Sequence, residues 1–170
     1  MLAIPLVRLE REGRLEFRAE ISPDDPSWEG TELRFSAPLS VFGQAQWIPS
    51  GDVLVRLRLR GALNQECRRC LEPVEVPVDE ELELLYVTVD ELEAADQETV
   101  RPLPSGQGEL DLGEAIREEM ILSQSPLVVC KPDCRGLCPQ CGANWNYDSC
   151  SCSQEVSDSR WDALRALKKE

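Results

Sequence analysis

At 170 residues the chain has the length of one ordinary domain, or a domain with a small appendage. It is 42% hydrophobic, and 32 acidic against 18 basic residues leave a formal net charge of −14. That balance excludes coating nucleic acid by bulk charge, because phosphate binding is driven by Lys and Arg displacing counterions. Any RNA contact has to come from a local basic patch or through a basic protein partner. No apolar run approaches the roughly 20 residues that a membrane helix needs. The N-terminus, MLAIPLVRLERE, has no basic segment before its short apolar start, so the chain reads as a cytoplasmic protein with no membrane partner.

Residues 1–30 carry scattered charge and turn signals, with one edge strand expected around 15–21. From 31 to 86 the pattern becomes period two. Leu33, Phe35 and Ala37 alternate with polar residues, as do Val53, Val55, Leu57 and Leu59, then Val74, Val76 and Val78, then Leu82, Leu84 and Tyr86. With breaks at Pro38, Pro49-Ser50-Gly51 and the segment 67–70, this predicts an antiparallel sheet with one buried face, which could close on itself as a barrel.

Residues 79–98 hold nine acidic side chains and no basic one. They read either as a solvated strand end and loop or as a docking surface for a basic partner. A Pro/Gly linker is expected at 99–108. Asp111-Leu-Gly-Glu114 then has capping-box spacing. Leu112, Ala115, Ile116, Met120 and Leu122 form a helical apolar stripe ending before Pro126, so a helix should lie on the sheet. A last short helix is expected after Ser159, with Trp161, Leu164 and Leu167 on its apolar face. The expected fold class is therefore α+β. Residues 1–98 form a mainly β domain with the first Cys pair, and 99–170 supply the linker, helix, Cys-rich segment and C-terminal helix of the same compact unit.

The chemistry lies in the cysteines. Six of the eight fall within 130–152, the other two are Cys67 and Cys70, and the chain has no histidine, so a metal site must be built from thiolates alone. In a reducing compartment ligands are favoured over disulfides, whose connectivity nothing here would select. Cys67-Arg-Arg-Cys70 and Cys138-Pro-Gln-Cys141-Gly142 each offer two sulfurs from a tight turn. Cys130 with Cys134, and Cys150 with Cys152, are looser pairs.

The eight divide into two four-cysteine sets, which offer one or two structural zinc sites. The favoured grouping is Cys67, Cys70, Cys130 and Cys134 against Cys138, Cys141, Cys150 and Cys152. The second set closes within a short loop, at low entropic cost, and the first clips the Cys-rich segment to the sheet. A site joining the two CxxC turns is the alternative. A four-thiolate site leaves no open position for water and is structural rather than catalytic. With no histidine, no GxGxxG and no GxxxxGK[ST], the reading is not an enzyme and no small-molecule substrate is expected.

Arg56, Arg58 and Arg60 point to one face of one strand. If the Cys-rich segment docks at 67–70, they would converge with Arg68, Arg69, Lys131 and Arg135. Trp145 and Tyr147 could then stack on unpaired bases. The plainer reading is a solvated strand face and two aromatics packed around a metal loop.

CRRCLEPVEVPV at 67–78, LDLGEAIREEMIL at 110–122 and CKPDCRGLCPQCGANWN…CSC at 130–152 together resemble the bacterial YceD family, the large ribosomal RNA subunit accumulation proteins, of which a related form occurs in plastids. The resemblance begins near residue 30 and departs at Trp145, where Leu is common. It implies a role in the synthesis, processing or stability of 23S rRNA, and so in large-subunit assembly, with a ligand role for all eight cysteines and no enzymatic activity. The partner is then 23S rRNA or its precursor, or a basic ribosomal protein bound by the acidic run.

Overall fold

The computed structural model describes residues 2–88, 100–104 and 108–152. The expected C-terminal helix with Trp161, Leu164 and Leu167, and the acidic run from residue 89 onward, lie outside the described residues.

Four long strands form an antiparallel meander: β2 (Arg14–Ile21), β3 (Leu39–Trp47), β4 (Val53–Glu66) and β5 (Pro73–Val87). The sequence reason is period two. In β4, Val53, Val55, Leu57, Leu59 and Leu63 are buried, while Arg56 and Arg60 between them are exposed. Leu39, Val41 and Ala45 of β3 and Val78, Leu82 and Tyr86 of β5 face the same core. Gly43 of β3 is required by close approach. A Cβ there would lie 2.6 Å from the Phe17 ring and 2.7 Å from the carbonyl oxygen of Arg56.

A short strand, β6 (Val100–Pro102), adds to the far edge in parallel with β5, so the sheet is mixed. This corrects two expectations. Part of the 99–108 linker is a strand, because Val100 and Arg101 complete the ladder that Leu85 and Tyr86 leave open. Among the described residues the sheet is also not a closed barrel: β2 and β6 are its two edges, with no pairing between them.

The other elements cover the apolar face. β1 (Ala3–Pro5) pairs antiparallel with β7 (Glu109–Asp111), which ties the N-terminus to the segment entering the helix. α1 (Leu6–Glu12) buries Leu6 and Leu9 and ends at Gly13, whose φ of 72° provides the left-handed stop. α2 (Gly113–Leu122) buries Ala115, Ile116 and Met120, and the last two join the buried cluster of the strands. Leu122, at the end of this helix, is 79% exposed and is not part of the stripe.

The capping box is likewise not formed. Asp111 sits in β7, its Oδ1 accepts from the Gly113 N–H at 2.9 Å, and Leu112 occupies the cap position with no side-chain bond. The 31–37 stretch buries Leu33 and Phe35 but makes only an isolated bridge, Phe35 to Leu63. Pro38 follows immediately and supplies no donor to extend the ladder.

β4 and β5 both run past the main core. At their far end a turn at 67–72 joins them, and the Cys-rich segment is seated there.

Candidate metal centres

The turn between β4 and β5 and the turn after Cys138 are the same structure made twice. The Leu71 N–H donates to the Cys67 carbonyl at 2.8 Å, and the Gly142 N–H donates to the Cys138 carbonyl at 2.9 Å. The Cys67 N–H then donates to the Glu72 carbonyl, and the Cys138 N–H to the Ala143 carbonyl, both at 2.8 Å. Each turn needs a left-handed residue just after its second cysteine. Gly142 meets that need with φ 75°, whereas Leu71 adopts φ 60° despite its Cβ. The turn aims both cysteines of a pair the same way and exposes backbone N–H groups to their sulfurs.

The Cys-rich segment is stitched onto the first turn by main-chain bonds. The Arg68 N–H donates to the Val128 carbonyl at 2.9 Å, and the Leu137 N–H donates to the Arg69 carbonyl at 3.1 Å. Gly136, with φ 75°, allows this approach, since a Cβ there would stand 3.0 Å from the Arg69 carbonyl oxygen. The Arg69 guanidinium reaches back to the carbonyls of Pro132 and Cys134 at 3.3 and 3.0 Å.

The result is two groups of four sulfurs, each within 4.8 Å of one another: Cys67, Cys70, Cys130 and Cys134 in the first, and Cys138, Cys141, Cys150 and Cys152 in the second. This is the grouping favoured by loop closure, and the alternative that joined the two CxxC turns is not formed. In the first group, Cys67 Sγ lies 3.8 Å from Cys134 Sγ and Cys70 Sγ lies 3.5 Å from Cys130 Sγ. All eight are free thiols. Four thiolates about 2.3 Å from one ion stand about 3.8 Å apart, whereas a disulfide needs about 2.05 Å. The first group therefore has the spacing of a tetrahedral thiolate cage.

The electrostatics of each group are frustrated without a cation. Burial works against the Cys67 thiolate, but backbone N–H groups of Cys130, Arg69 and Cys70 bring its pKa down to about 6. Backbone N–H groups of Cys141 and Gln140 bring Cys138 down to about 6. The last thiols resist: burial and the neighbouring sulfurs push Cys130 up to about 12, and the Cys141 sulfur with burial pushes Cys152 up to about 12. Four like-charged sulfurs cannot share such a space, and a divalent ion at the centre removes the conflict. Both groups could hold a metal ion.

Two side chains that the spacing of cysteines does not reveal support the sulfurs. The Asn146 Nδ2 donates to Cys134 Sγ, and the Trp145 Nε1 donates to Cys150 Sγ, each at 3.4 Å. The Asn146 bond is the leading cause that lowers the Cys134 pKa. The Asn-Trp-Asn order between the cysteine pairs is the signal that could have found them.

The nine basic and aromatic positions fall in two places. Arg56, Arg58 and Arg60 lie on the solvent face of β4, opposite Glu83, Glu81 and Asp79 of β5 in the strand register. Arg56 pairs with Glu83; Arg58 contacts Asp79 at 2.7 Å and Glu81 at 2.9 Å; Arg60 contacts Asp79 at 3.3 Å. Arg68, Arg69, Lys131 and Arg135 are all exposed at the cysteine end. Glu66, at the end of β4, lies six positions beyond Arg60, about 20 Å along the strand. The seven cations therefore form two sets along one ribbon. Among the described residues, the Arg68, Lys131 and Arg135 side chains make no ion pair. Asp133 and Asp148 are exposed on the same segment. Trp145 is half-buried, and Tyr147 is 77% exposed.

The family described as "Large ribosomal RNA subunit accumulation protein YceD" matches residues 55–168, more than half of the chain. That description is of an accumulation protein and not of an enzyme class. The chain is 32% identical over 62 residues to the chloroplastic large ribosomal RNA subunit accumulation protein YCED homolog 1 of Arabidopsis thaliana, covering 36% of this chain and 19% of that one. The protein of the same name from Zea mays is 31% identical over 129 residues, 57% of this chain and 44% of the relative. The chain thus spans less than half the length of these plant relatives. An uncharacterized protein of Mycobacterium tuberculosis is 29% identical over 169 residues, 96% of this chain and 79% of the relative. No solved structure matches. No helix among the described residues is long and apolar enough to cross a membrane.

Proposed function

The chain belongs to the YceD family of large ribosomal RNA subunit accumulation proteins, and from that premise we propose that it is a non-enzymatic assembly factor that supports 23S rRNA synthesis, processing or stability by touching the rRNA locally. Two structural zinc ions, one in each four-cysteine group, would hold its RNA-facing end together in the cytoplasm. Zinc suits the all-sulfur donor set and fixes a closed tetrahedron without redox chemistry. The chain's own residues supply everything else. The first four sulfurs fasten the Cys-rich segment to the β4–β5 ribbon, and that brings Arg68, Lys131, Arg135 and Tyr147 to one end of the molecule.

The observation that carries this reading is the contrast between the two basic sets. The β4 strip is compensated by carboxylates from β5, whereas Arg68, Lys131 and Arg135 are exposed and unpaired among the described residues. Unpaired cations beside an exposed aromatic are what a single-stranded nucleic acid requires: charge for the phosphates and a face for a base. The acidic remainder of the molecule limits the contact to that end.

The test is UV crosslinking of tagged protein in growing cells, with sequencing of the attached RNA. Crosslinks should concentrate in a segment of 23S rRNA or its precursor. The triple variant Arg68→Glu, Lys131→Glu, Arg135→Glu should lose most of them, while Arg56→Glu, Arg58→Glu, Arg60→Glu should lose fewer. Full retention by the first variant would sink the assignment of that end.

A second reading rests on the acidic row of β5. Asp79, Glu81 and Glu83 are exposed, although paired with the β4 arginines, and precede Asp90, Glu91 and Glu93 in the sequence. Such a row could hold a basic ribosomal protein or another assembly factor. No RNA enrichment over an untagged control, with ribosomal proteins still co-purifying, would favour it.

A further inference from the structure

The two sulfur groups are joined by one short loop. Asn146 faces the first group: its Nδ2 donates to Cys134 Sγ at 3.4 Å, and its Oδ1 accepts the Arg135 N–H at 3.0 Å. The second of these bonds fixes the amide orientation, because only the oxygen can accept from a backbone N–H. The preceding residue, Trp145, faces the other group and donates its indole N–H to Cys150 Sγ. Asn144 holds the loop in place. Its Oδ1 accepts from the Asn146 N–H and Nδ2 at 3.1 and 2.8 Å, and its own Nδ2 reaches Glu72 Oε1 at 3.2 Å, back on the first turn. The Trp145 backbone N–H donates to the carbonyl of Gly136, which lies between Cys134 and Cys138, at 2.9 Å. Adjacent residues of one loop thus place an N–H donor on a sulfur of each group.

Resting on the reading of both groups as metal sites, we propose that Trp145 and Asn146 are positioning residues for the two metals, and that their loop couples the sites so that each metal strengthens the binding of the other. The physical route is direct. A hydrogen bond to sulfur favours the thiolate form that a metal needs. A metal in the second group fixes Cys150, and with it the indole that spans the loop. That orders Asn146 over Cys134 before the first metal arrives, so the first metal no longer carries the ordering cost. Linkage makes the effect reciprocal. The asymmetry of the groups sets its direction in practice. Cys67, Cys70 and Cys134 are buried with Cys130 exposed, whereas the second group has Cys138 buried, Cys141 exposed and the other two half-buried. The second group is also closed within 15 residues and forms on its own loop, while the first must bring together chain segments about 60 residues apart.

The test is titration of the full-length reduced chain with zinc against a chromophoric chelator, with the number of bound ions counted by native mass spectrometry. The wild type should bind two ions, with few singly loaded chains at the midpoint. Cys150→Ser with Cys152→Ser should leave one ion bound at the first group, weakened roughly tenfold or more. Asn146→Asp keeps the shape but removes the donor, and it should weaken the first site by a similar factor while the far-UV circular dichroism of the zinc-saturated protein stays as in the wild type. Trp145→Phe keeps an aromatic ring, smaller than the indole and without its N–H, and should weaken both sites, which preserves the test if the cysteine variant does not fold. First-site affinity within twofold of wild type in all three variants would overturn the coupling and leave the two-site reading intact. A wild type that binds no zinc would overturn both.

Discussion

Leu71 and Gly142 occupy the same place in two copies of one turn, and they measure what a side chain costs there. Leu71 holds φ 60° and is 57% exposed, so little packing offsets the left-handed strain. Such strain costs roughly 1–2 kcal/mol in an L-residue, while Gly adds about 0.5–1 kcal/mol of backbone entropy. Leu71→Gly should therefore leave the metal-loaded protein as stable as wild type or up to about 1.5 kcal/mol more stable. Gly142→Ala, where a Cβ meets nothing within 4 Å, should cost about 1 kcal/mol from φ alone. Gly136→Ala should cost more, because its Cβ would also press on the Arg69 carbonyl at 3.0 Å. Urea midpoints of the three variants check the order; Gly136→Ala as mild as Gly142→Ala would contradict the close seating of the Cys-rich segment. At this scale the sequence was readable where chemistry is encoded by spacing. The cysteine grouping followed from loop length, and Gly142 from its place after Cys141. Asn146 and Trp145 were not legible as sulfur donors, because a side-chain bond to sulfur depends on where a turn aims the group.

Between β4 and β5 the register sets the charges of one strand against those of the next, and a consequence can be read from Asp79. Hydrogen bonding from the Arg58 guanidinium, helped by Arg60, holds the Asp79 carboxyl at about 2, well below the ordinary range. A depressed folded pKa contributes stability that is present above the unfolded value, near 4, and is lost as pH falls toward 2. Asp79→Asn removes that contribution, so the difference in urea midpoint between wild type and variant should be constant above about pH 5 and shrink between about pH 4 and 2. A difference that does not change across that window would show that the pair is not formed in solution. The group is exposed, so the effect is small and weakens with salt. The long strands were legible because each buries one face and leaves the other wet. α1 was missed, since a seven-residue helix with two buried leucines shows no sustained period. β6 was hidden as well: three residues in a parallel edge depend on a partner strand that local pattern cannot supply. Asp111-Leu-Gly-Glu114 shows the opposite failure, a local motif overridden when Asp111 was taken into a β-pair with Ala3.

For the whole molecule the decisive feature is that the hydrophobic core and the cysteine end are two distinct buried clusters, with β4 and β5 running from one to the other. The main cluster is made by the sheet, α1 and α2, while Cys67, Cys70 and Cys134 form a second small cluster with Val74, Val129 and Leu137 beside them. Six side chains are a meagre core, and a metal is the usual remedy for a unit of that size. The α+β class was legible from the switch between period two and period 3.6, and the cysteine count and spacing pointed to the Cys-rich segment as a place for metal. What the pattern could not supply was where the cations fall, because that depends on how far β4 runs beyond the core before it turns.

The central claim is that eight thiolates form two closed metal sites on which the exposed basic end depends. The most direct measurement is native mass spectrometry of the chain, purified reduced and without chelator. The expected neutral mass exceeds that of the metal-free chain by two zinc ions less the two protons that each displaces for charge balance, with Cys67→Ser and Cys150→Ser each losing an ion. A metal-free chain, or a mass lowered by pairs of hydrogens as disulfides require, would contradict it.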